Sequence, residues 1–506
     1  MRPMFVFLTV FLPASLCSQQ QPDLLLIVTD DQDADPVPLS VMRHTHKWFI
    51  DGGIQFVNSF VSTPICCPSR SSFHTGLYAH AHGCRNNSVL GDCASVQWMD
   101  MHENQTLSAY LHKAGYITMF AGKYLNQYGL KHHRAVSYKH VPDGWDWWMA
   151  LLGNSRYFDY SLSINGSLQH HGHTQHDYLT NVIREQAVQF MHLVTRWHPD
   201  RPVFLVLCPP APHAPFTAES RFQQNFTGMR APRTASFNVH AYDKHWLVRR
   251  ASHPMSDVSI SYLDAAYRNR LRTLLSIDNM VHTALHAMRQ RHKVLKHQRQ
   301  WYAVYTSDNG FHQGQFCMPT DKRQPYEFDV RVPFMVTGSG PKLRRQISVP
   351  YPVVANLDVM PTLLQLAGVK HVKHLHGQSL VRWLADQSIA RTSRWTRRFL
   401  IEYWGESGDG IPKECGNLPG LSECKPDCVC QDARNNTYVC LRQMASSGRN
   451  TIHCEFGDNE RFVEYYNMKK DPDQLHNRRF ALSRRRSDRA RKMIRWIRNR
   501  GQIHFR

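Results

Sequence analysis

Short runs of apolar residues that end abruptly in polar loops recur at wide spacing along the chain. Three such runs, each given with polar residues beyond it, are residues 24–29 before Asp30 and Asp31, residues 203–207 before His213, and residues 301–306 before Asp308 and Asn309. Continuous apolar strands of this length are typical of a sheet that is covered on both faces. Since ligands of such sheets bind beyond the carboxyl ends of the strands, the pattern predicts an α/β fold with its site at that edge.

Stretches with helical spacing lie between the predicted strands. Apolar side chains recur at three- and four-residue steps from Leu271 to Met288. Residues 357–368 form a second such stretch, with Gly368 near its end. Both stretches are predicted to be helices that cover the sheet.

Composition divides the chain into segments. Its first residues have a charged start, an apolar run over residues 5–12 and small residues up to Ser18, which is typical of a cleaved signal peptide. The apolar run is too short for a membrane anchor, and no later run reaches the roughly 18 to 20 residues that an anchor needs, so we expect none. The predicted segments are a signal peptide over residues 1–18, a large N-terminal domain over 19–394, a disulfide-rich subdomain over 395–477 and a basic tail over 478–506.

Five Asn-x-Ser/Thr triplets agree with a secretory route, in which such asparagines accept glycans. The triplets begin at Asn86, Asn104, Asn165, Asn225 and Asn435. We therefore expect a glycoprotein that is lumenal or secreted.

Thirteen cysteines point to the same oxidising route. Six of them crowd together and predict a disulfide-stapled region, with a zinc site as the alternative: Cys415, Cys424, Cys428, Cys430, Cys440 and Cys454. Cys84 and Cys93 are spaced to close a short loop. Cys67, Cys208 and Cys317 remain, and at least one of them is expected to be a buried thiol.

The charge balance indicates a polyanionic partner. The chain has 61 lysines and arginines against 40 acidic residues, a formal net charge of +21, and 31 histidines that add positive charge in an acidic compartment. Nucleic acid would satisfy the charge, but the secretory route argues against it, whereas a sulfated glycan fits both. The arginine-rich tail, with Trp496 and other apolar residues interleaved, predicts either a solvated helix or a helix that binds a polyanion or an interface.

The most specific chemical signal is the sequence Cys66-Cys67-Pro68-Ser69-Arg70 followed by Thr75-Gly76. It resembles the signature of the sulfatase family, in which the cysteine is oxidised to formylglycine and then serves as the nucleophile. One half of a disulfide is the alternative for a Cys-Cys pair in a secreted protein. The polar residues beyond the predicted strands favour the sulfatase interpretation.

Hydrolysis of a sulfate ester requires a nucleophile at sulfur, neutralisation of the sulfate oxygens and a proton for the departing alcohol. Asp30, Asp31, Asp308 and Asn309 offer hard oxygen ligands that suit Ca²⁺ or Mg²⁺, and the secretory route favours Ca²⁺. Ordinary strand-end turns are the alternative for either pair alone. A thiol is a poor ligand for a hard cation, so we expect Cys66 to act as a hydrated aldehyde.

Three basic residues and a histidine complete the predicted site. Arg70 lies one helical turn beyond Cys66, from where it would reach the same anion. Lys123 and Lys322 are candidate sulfate clamps, an interpretation that depends on the family context. His213, in a proline-rich loop, is the candidate proton donor to the leaving alcohol.

The resemblance to the sulfatase family, within the alkaline-phosphatase-like superfamily, runs from about residue 23 to about residue 477. Matching stretches occur in both predicted domains, at residues 29–33, 66–70, 122–126, 244–247, 306–310, 321–323, 326–329, 426–430, 435–438 and 471–474. The resemblance implies a large mixed sheet covered by helices, plus a smaller C-terminal α+β domain.

An activity, a cofactor and partners are also implied. The activity is hydrolysis of the 6-sulfate of N-acetylglucosamine residues in heparan and keratan sulfate, typically in lysosomes, with secretion as the alternative. The implied metal is calcium, held by Asp30, Asp31, the converted Cys66, Asp308 and Asn309. The implied partners are a sulfated glycosaminoglycan and, during maturation, the formylglycine-generating enzyme.

Two positions depart from the family pattern. His74 stands where sulfatases commonly have leucine before Thr-Gly, which could weaken recognition by the converting enzyme. Leu125 stands where many sulfatases have a histidine, so His213, with His312 or His245 as substrate contacts, is expected to carry the acid and contact roles.

Two other functions fit part of the pattern. An extracellular heparan sulfate 6-O-endosulfatase has a similar catalytic region, but this chain lacks a long basic insertion between the two domains. An inactive sulfatase-like protein that binds heparan sulfate would use the same charge. The intact Asp30, Cys66 and Arg70 argue against that alternative.

Overall fold

The computed structural model describes residues 20–296, 299–340, 343, 347–370, 372–385, 395–405, 427, 431, 433 and 435–500. The predicted signal peptide over residues 1–18 and four clustered cysteines, Cys415, Cys424, Cys428 and Cys430, lie outside these residues.

Twelve strands belong to the large domain. They are β1 Asp23–Thr29, β2 Gly53–Phe56, β3 Ser59–Phe60, β4 Ile117–Lys123, β5 Trp147–Leu151, β6 Tyr160–Ile164, β7 Ser167–His171, β8 Val203–Cys208, β9 Trp301–Ser307, β10 Phe334–Gly338, β11 Ile347–Val349 and β12 Val354–Ala355. Strands β3 and β12 pair with each other, and the others form a ten-stranded sheet in the order β11-β2-β10-β9-β1-β8-β4-β5-β6-β7. The central strands β9, β1, β8, β4 and β5 are parallel, and β10, β6 and β7 run antiparallel to their neighbours, so the sheet is mixed.

The apolar run of β1 is buried on both faces of this sheet. Leu25 and Ile27 belong to one core, and Leu24 and Leu26 belong to the other. Successive side chains of a strand point to opposite faces, so a strand between two cores must be apolar at every position. Each of these side chains contributes about 1.5 to 3 kcal/mol by burial.

Helices cover both faces. The α-helices of the described residues are α1 Pro36–Val41, α2 Arg43–Thr45, α3 Cys66–Thr75, α4 Ala79–His82, α5 Val96–His102, α6 Leu107–Lys113, α7 Leu179–Trp197, α8 Trp246–Arg249, α9 Asp257–Leu295, α10 Glu327–Val330, α11 Val359–Leu366, α12 Val381–Ala385 and α13 Arg484–Arg500. Helices α7 and α9 pack on one face of the sheet, and α3, α6 and α11 pack on the other. None of the helices in the described part of the chain is long and apolar enough to span a bilayer.

Both predicted helices are confirmed. Leu271 and Met288 lie inside α9 and are buried, and a Ser256 side chain caps the start of that helix by accepting from Ser259 N. The stretch from residue 357 begins with a short 3-10 turn, Asn356–Asp358, and continues as α11. Gly368 follows α11 with φ +74°, a left-handed conformation that glycine adopts readily.

A second sheet forms the C-terminal domain. Its four antiparallel strands are β13 Thr396–Tyr403, β14 Tyr438–Ala445, β15 Asn450–Phe456 and β16 Val463–Asn467. One face of it packs on the large domain, where Arg442 Nη2 donates to Glu327 Oε1 over 3.0 Å and Tyr326 donates to Glu464 Oε1 over 3.2 Å. Helix α13 packs on this sheet, so the predicted architecture of a large covered sheet plus a smaller α+β domain is confirmed.

The disulfides correct one prediction. Cys93 is bonded to Cys67 and not to Cys84. The loop after α4 folds back onto the first turn of α3, where Asn87 Oδ1 accepts from Cys67 N over 2.8 Å, and this brings Cys67 to Cys93. Cys84 Sγ lies 3.5 Å from Cys67 Sγ. In the C-terminal domain Cys440 is bonded to Cys454 across β14 and β15.

Four of the five predicted glycosylation sites are exposed: Asn104, Asn165, Asn225 and Asn435. Asn86 is different, because it is buried and its Oδ1 accepts from Ser88 N over 3.0 Å and from Ser88 Oγ over 2.8 Å. Its Nδ2 faces the Gly405 carbonyl at 3.4 Å. The folded conformation therefore argues against a glycan on Asn86.

We expect buried His102 to make the free energy of unfolding fall as the pH is lowered. Burial lowers the pKa of His102 to about 4, whereas an unfolded histidine titrates near 6.5. The unfolded chain therefore binds more protons below pH 6.5, and His102 should account for a loss of about 2 kcal/mol between pH 7 and pH 5.

Chemical denaturation of a His102→Gln variant at the two pH values measures this contribution. The variant should lose less stability than the parent on acidification, whereas His176→Gln, at an exposed position, should follow the parent. An unchanged pH dependence in His102→Gln would show that His102 is not the responsible group.

Candidate active site

Residues predicted for the site meet at the carboxyl edge of four adjacent strands. In sheet order they are Asp308 and Asn309 after β9, Asp30 and Asp31 after β1, His213 beyond β8, and Lys123 as the last residue of β4. All of these strands are parallel, so their carboxyl ends lie side by side. The structure thus brings together residues that are far apart in sequence.

Two backbone features shape this edge. Gly122 has φ +112°, and a Cβ atom there would lie 2.0 Å from the Cys208 carbonyl oxygen, so only glycine lets β4 approach β8 just before Lys123. Asp31 has φ +67°, a strained conformation for a residue with a side chain. It turns the chain so that Asp30 and Asp31 meet different basic groups.

Asp30 lies at the centre of the cluster and is fully buried. Lys123 Nζ donates to its Oδ2 over 2.7 Å, and Arg70 Nη2 lies 3.7 Å from its Oδ1. Burial opposes ionisation of Asp30, but the opposite charges of Lys123, His213 and Arg70 outweigh it and hold the pKa of Asp30 well below its usual value. Asp30 is therefore a carboxylate at any physiological pH.

Asp31 is paired with the second lysine. Lys322 Nζ donates to both of its carboxylate oxygens, over 2.8 and 2.7 Å, and Asn309 Nδ2 donates to Oδ1 over 2.7 Å. Burial raises the pKa of Asp31, but Lys322 and His213 together lower it below its usual value. Burial works against the charge of Lys322 as well, and its carboxylate partners raise the pKa of this ammonium above its usual value.

Arg70 joins the third carboxylate to the cluster. Its Nε donates to Asp308 Oδ2 over 2.9 Å, and its Nη1 donates to the Lys123 carbonyl over 2.9 Å. Burial and the nearby Asp30 raise the pKa of Asp308 to about 7. Asp308 therefore needs further positive charge to stay ionised near neutral pH.

Cys66 is the first residue of α3 and is fully buried. Its thiol donates to Asp30 Oδ1 over 3.6 Å. Burial, only partly offset by Lys123 and Lys322, raises the pKa of the thiol to about 12. An unmodified Cys66 is therefore protonated at physiological pH and a weak nucleophile.

The chemistry of the donor set fits a hard cation. Three buried carboxylates lie at this strand edge, and the Asn309 Oδ1 atom is buried with no hydrogen-bond partner among the described residues. An unpaired buried carbonyl beside carboxylates is costly unless a cation or a donor meets it. Asp30, Asp31, Asp308 and Asn309 thus offer the oxygen ligands that Ca²⁺ prefers.

His213 lies at the rim of the cluster. Its Nε2 is 3.8 Å from Asp31 Oδ2, and its Nδ1 is 2.6 Å from the Ala214 carbonyl, which fixes the ring. Burial and the positive charge of Lys322 lower the pKa of His213 to about 4. A bound anion would oppose this shift and favour the protonated ring.

The other two predicted histidines have different positions. His312 precedes the Lys322 loop, with Nδ1 3.0 Å from Asp329 Oδ1 and Nε2 2.8 Å from Gln431 Nε2. Its backbone N donates to the Asp321 carbonyl over 2.9 Å, so it supports the loop that carries Lys322. Both ring nitrogens of His312 are thus engaged by protein groups, which leaves little room for a direct substrate contact.

His245 lies between the two domains. Its Nε2 is 2.9 Å from Asp458 Oδ2, and its ring stacks on Phe456 with 4.0 Å between centroids. No contact between described residues joins His245 to Asp30, Asp31 or Asp308. The C-terminal domain thus engages the Nε2 atom of His245, and a substrate contact by His245 stays a prediction.

Two further residues that contact the site do not belong to any sequence motif. The Ser155 hydroxyl donates to Asp30 Oδ2. Arg270, from the middle of α9, donates to the Asp31 carbonyl over 2.9 Å and to Asp33 Oδ2 over 2.7 Å. Arg270 is a buried arginine on the apolar face of a helix, and that unusual position is the only signal that could have identified it.

A solved structure establishes the fold. The chain matches, with a TM-score of 0.70 and 18% identity, a protein in complex with its substrate D-glucosamine-2-N,6-O-disulfate, over 96% of this chain and 99% of that one. This likeness, with the mixed sheet covered by helices, shows that the chain has the alkaline-phosphatase-like fold.

Sequence relatives define the family. The sulfatase profile matches residues 22–369, a range that contains Asp30, Cys66 and Lys322. The chain is 42% identical over 462 residues to the N-acetylglucosamine-6-sulfatase of Homo sapiens, covering 90% of this chain and 81% of that one. It is 35% identical over 390 residues to the extracellular sulfatase SULF-1 homolog of Drosophila melanogaster, covering 76% of this chain and 33% of that one. The chain belongs to the sulfatase family.

The two hydrogen bonds that the Arg70 guanidinium donates, to Asp308 and to the Lys123 carbonyl, should be essential to the stability of the charged cluster. We expect Arg70→Lys to lower the free energy of unfolding by about 2 to 4 kcal/mol, because one ammonium cannot serve both Asp308 and the Lys123 carbonyl. Urea denaturation measures the change. Arg156→Lys is the matched control, since the exposed Arg156 lies 3.5 Å from Asp159 and should contribute little. Equal losses in both variants would contradict the role of Arg70.

Proposed function

We propose that the protein hydrolyses the 6-O-sulfate of N-acetylglucosamine residues at the ends of heparan and keratan sulfate chains. The observation that carries the proposal is the position of Cys66. It begins a buried helix at the strand edge where three carboxylates, two lysines and an arginine meet. A sulfatase needs its nucleophile at this junction of metal ligands and anion-binding groups.

The basic residues have two tasks in this proposal. Without an anion, Lys123 and Lys322 neutralise Asp30 and Asp31. With a sulfate ester in place, the same ammonium groups lie within reach of its oxygens and stabilise the charge that develops on them. Arg70 keeps Asp308 and the end of β4 in fixed positions, which orients Lys123.

A calcium ion would be held by Asp30, Asp31, Asp308 and the free Asn309 Oδ1. Bound there, it would polarise the sulfate oxygens as a Lewis acid. We expect the ion to stabilise the charge of Asp308 most, because burial and Asp30 raise the pKa of this carboxyl more than its basic neighbours lower it. Cys66 Sγ lies beside Asp30 and is a poor donor for this ion, which favours an oxygen at this position.

Conversion of Cys66 to formylglycine resolves this conflict. The hydrated aldehyde has two hydroxyl groups. The oxygen of one would attack sulfur as the bond from sulfur to the sugar oxygen breaks. The other would then lose its proton as the bond from carbon to the sulfated oxygen breaks, which releases sulfate and restores the carbonyl. His213 lies beside Asp31 and is the group that would protonate the sugar alcohol. His74, the departure within the motif, packs on Phe120 and Tyr124 and stays neutral, because burial lowers its pKa to about 3.

The substrate assignment rests on two similarities. The relative with 42% identity is an N-acetylglucosamine-6-sulfatase, and the solved neighbour binds a glucosamine with a 6-O-sulfate. The basic surface fits a sulfated polymer. A lysosomal location, alternatively secretion, glycans on the four exposed sequons, and maturation by the formylglycine-generating enzyme belong to the same proposal.

Sulfate release from defined heparan and keratan oligosaccharides tests the function. The wild type should release the 6-sulfate of a terminal N-acetylglucosamine, and Cys66→Ala should lower the rate at least about a thousandfold with unchanged unfolding. Cys317→Ala is the matched control, because it also removes a buried thiol, one that lies 3.4 Å from Asn238 Oδ1 and far along the chain from the motif.

Three other outcomes of the sulfate-release experiment would each contradict a different part of the proposal. Turnover retained in Cys66→Ala would refute the nucleophile assignment. Release only from internal residues would favour an endosulfatase. No release by the wild type from any 6-sulfated substrate would favour the inactive glycan-binding alternative.

A further inference from the structure

The C-terminal sheet has an outer face that turns away from the large domain. Phe399, Arg442 and Glu464 contact the large domain from the inner face. Since side chains alternate along a strand, Arg398 and Leu441 point to the opposite face. No hydrogen bond between described residues joins the side chain of Arg398 or Leu441 to Cys66 or to Asp30, Asp31 and Asp308.

Helix α13 lies across the outer face. Its Ala490 and Ile494 are buried in the core below. Arg491 Nε donates to Glu455 Oε1 over 2.7 Å, and Arg498 Nη2 lies 3.5 Å from Glu402 Oε2. The tail helix is therefore docked by its apolar stripe and by two anchoring arginines.

A groove of about 700 Å³ runs between α13 and the outer face of the sheet. Five arginine and lysine side chains line it: Arg398, Arg449, Arg486, Arg489 and Lys492. His453 lines it as well, with its Nε2 2.9 Å from Glu455 Oε1. Of the described residues that line this groove, none is an aspartate or a glutamate, and none of the ion pairs between described residues includes any of the five. Within the described part of the chain, these five cations therefore have no carboxylate partner at ion-pair distance, unlike Arg491 and Arg498.

The groove has the geometry of an extended site. Arg486, Arg489 and Lys492 follow one another at three-residue steps, which places them about 4.5 Å apart per step along the helix axis. Leu441 and Tyr465 line it from the sheet, and the Trp496 ring, which is 50% exposed, lines it from the helix. A row of cations thus runs beside apolar and aromatic surface.

We propose that this groove is a second binding site for a sulfated glycan chain, separate from the active site. The choice of a sulfated glycan rests on the proposed function. A row of cations without carboxylates suits repeating sulfate groups, and the aromatic and apolar lining suits the faces of sugar rings. An anionic membrane is less well matched, because binding to a bilayer would need the apolar stripe of α13, which already packs on the sheet.

Binding to immobilised heparin tests the proposal with the full-length protein. The triple variant Arg486→Ser, Arg489→Ser, Lys492→Ser removes three groove cations. The matched control Arg484→Ser, Arg485→Ser, Arg495→Ser removes the same charge from exposed positions of α13 outside the groove. We expect the groove variant to bind heparin about tenfold more weakly than the parent and the control to change much less.

The same proteins are tested against unsulfated heparosan and against vesicles of equimolar phosphatidylcholine and phosphatidylserine. Weak binding to heparosan by the parent, the groove variant and the control variant would support recognition of sulfate. Equal losses of heparin binding in both triple variants would overturn the proposal in favour of nonspecific charge. Vesicle binding that only the groove variant loses, with heparin binding unchanged, would overturn it in favour of a membrane site.

Repeating the heparin measurement in a Cys66→Ala background separates this proposal from the catalytic one. Binding by the groove should persist there without turnover. Hydrolysis of a monosaccharide 6-sulfate by the groove variant should equal that of the parent, so a fall in this rate would overturn the separation of the groove from the active site.

Discussion

Three carboxylates and three basic side chains share one buried volume, and their mutual compensation is the constraint on which the site depends. Asp30, Asp31 and Asp308 are each below 2% exposed, and each is held by Lys123, Lys322 or Arg70. Removal of one partner would leave an uncompensated buried charge, which is among the costliest changes in a protein interior. Loss of one charge in the site is therefore tolerated only together with loss of the opposite charge that it compensates.

This constraint accounts for the architecture around it. Asp30, Asp31, Asp308 and Lys123 lie at the ends of neighbouring parallel strands, so the order of the sheet brings these four charges together. Arg70 joins them from the first turns of α3. The C-terminal domain secures the remaining part, the loop that carries Lys322. Tyr438 donates to the Arg323 carbonyl over 2.8 Å, and Gln431 meets His312 at the base of the same loop. The small domain thus helps to position a basic residue of the site.

Much of this arrangement could be predicted from the sequence, because an apolar run that ends in acidic residues is typical of a strand that leads into a site at the edge of an α/β sheet. Asp30 and Asp308 could be assigned to a common edge on that basis. Contacts made by residues without a local pattern could not be predicted. Ser155 and Arg270 reach the cluster only through tertiary folding, and the bond between Cys67 and Cys93 depends on how one loop folds back. The docking of the arginine-rich helix likewise depends on a sheet formed by earlier residues.

The buried thiol of Cys66 gives the most direct test of the account. Burial beside Asp30 raises the pKa of the Cys66 thiol to about 12, which makes the unmodified thiol a weak nucleophile, so we expect active protein to carry a different group at this position. Peptide mass spectrometry of active protein, with a carbonyl-reactive probe and a thiol-reactive probe applied after unfolding, decides the matter. The account predicts an aldehyde or its hydrate at position 66. A free thiol at position 66 throughout a preparation that hydrolyses the 6-sulfate would contradict it.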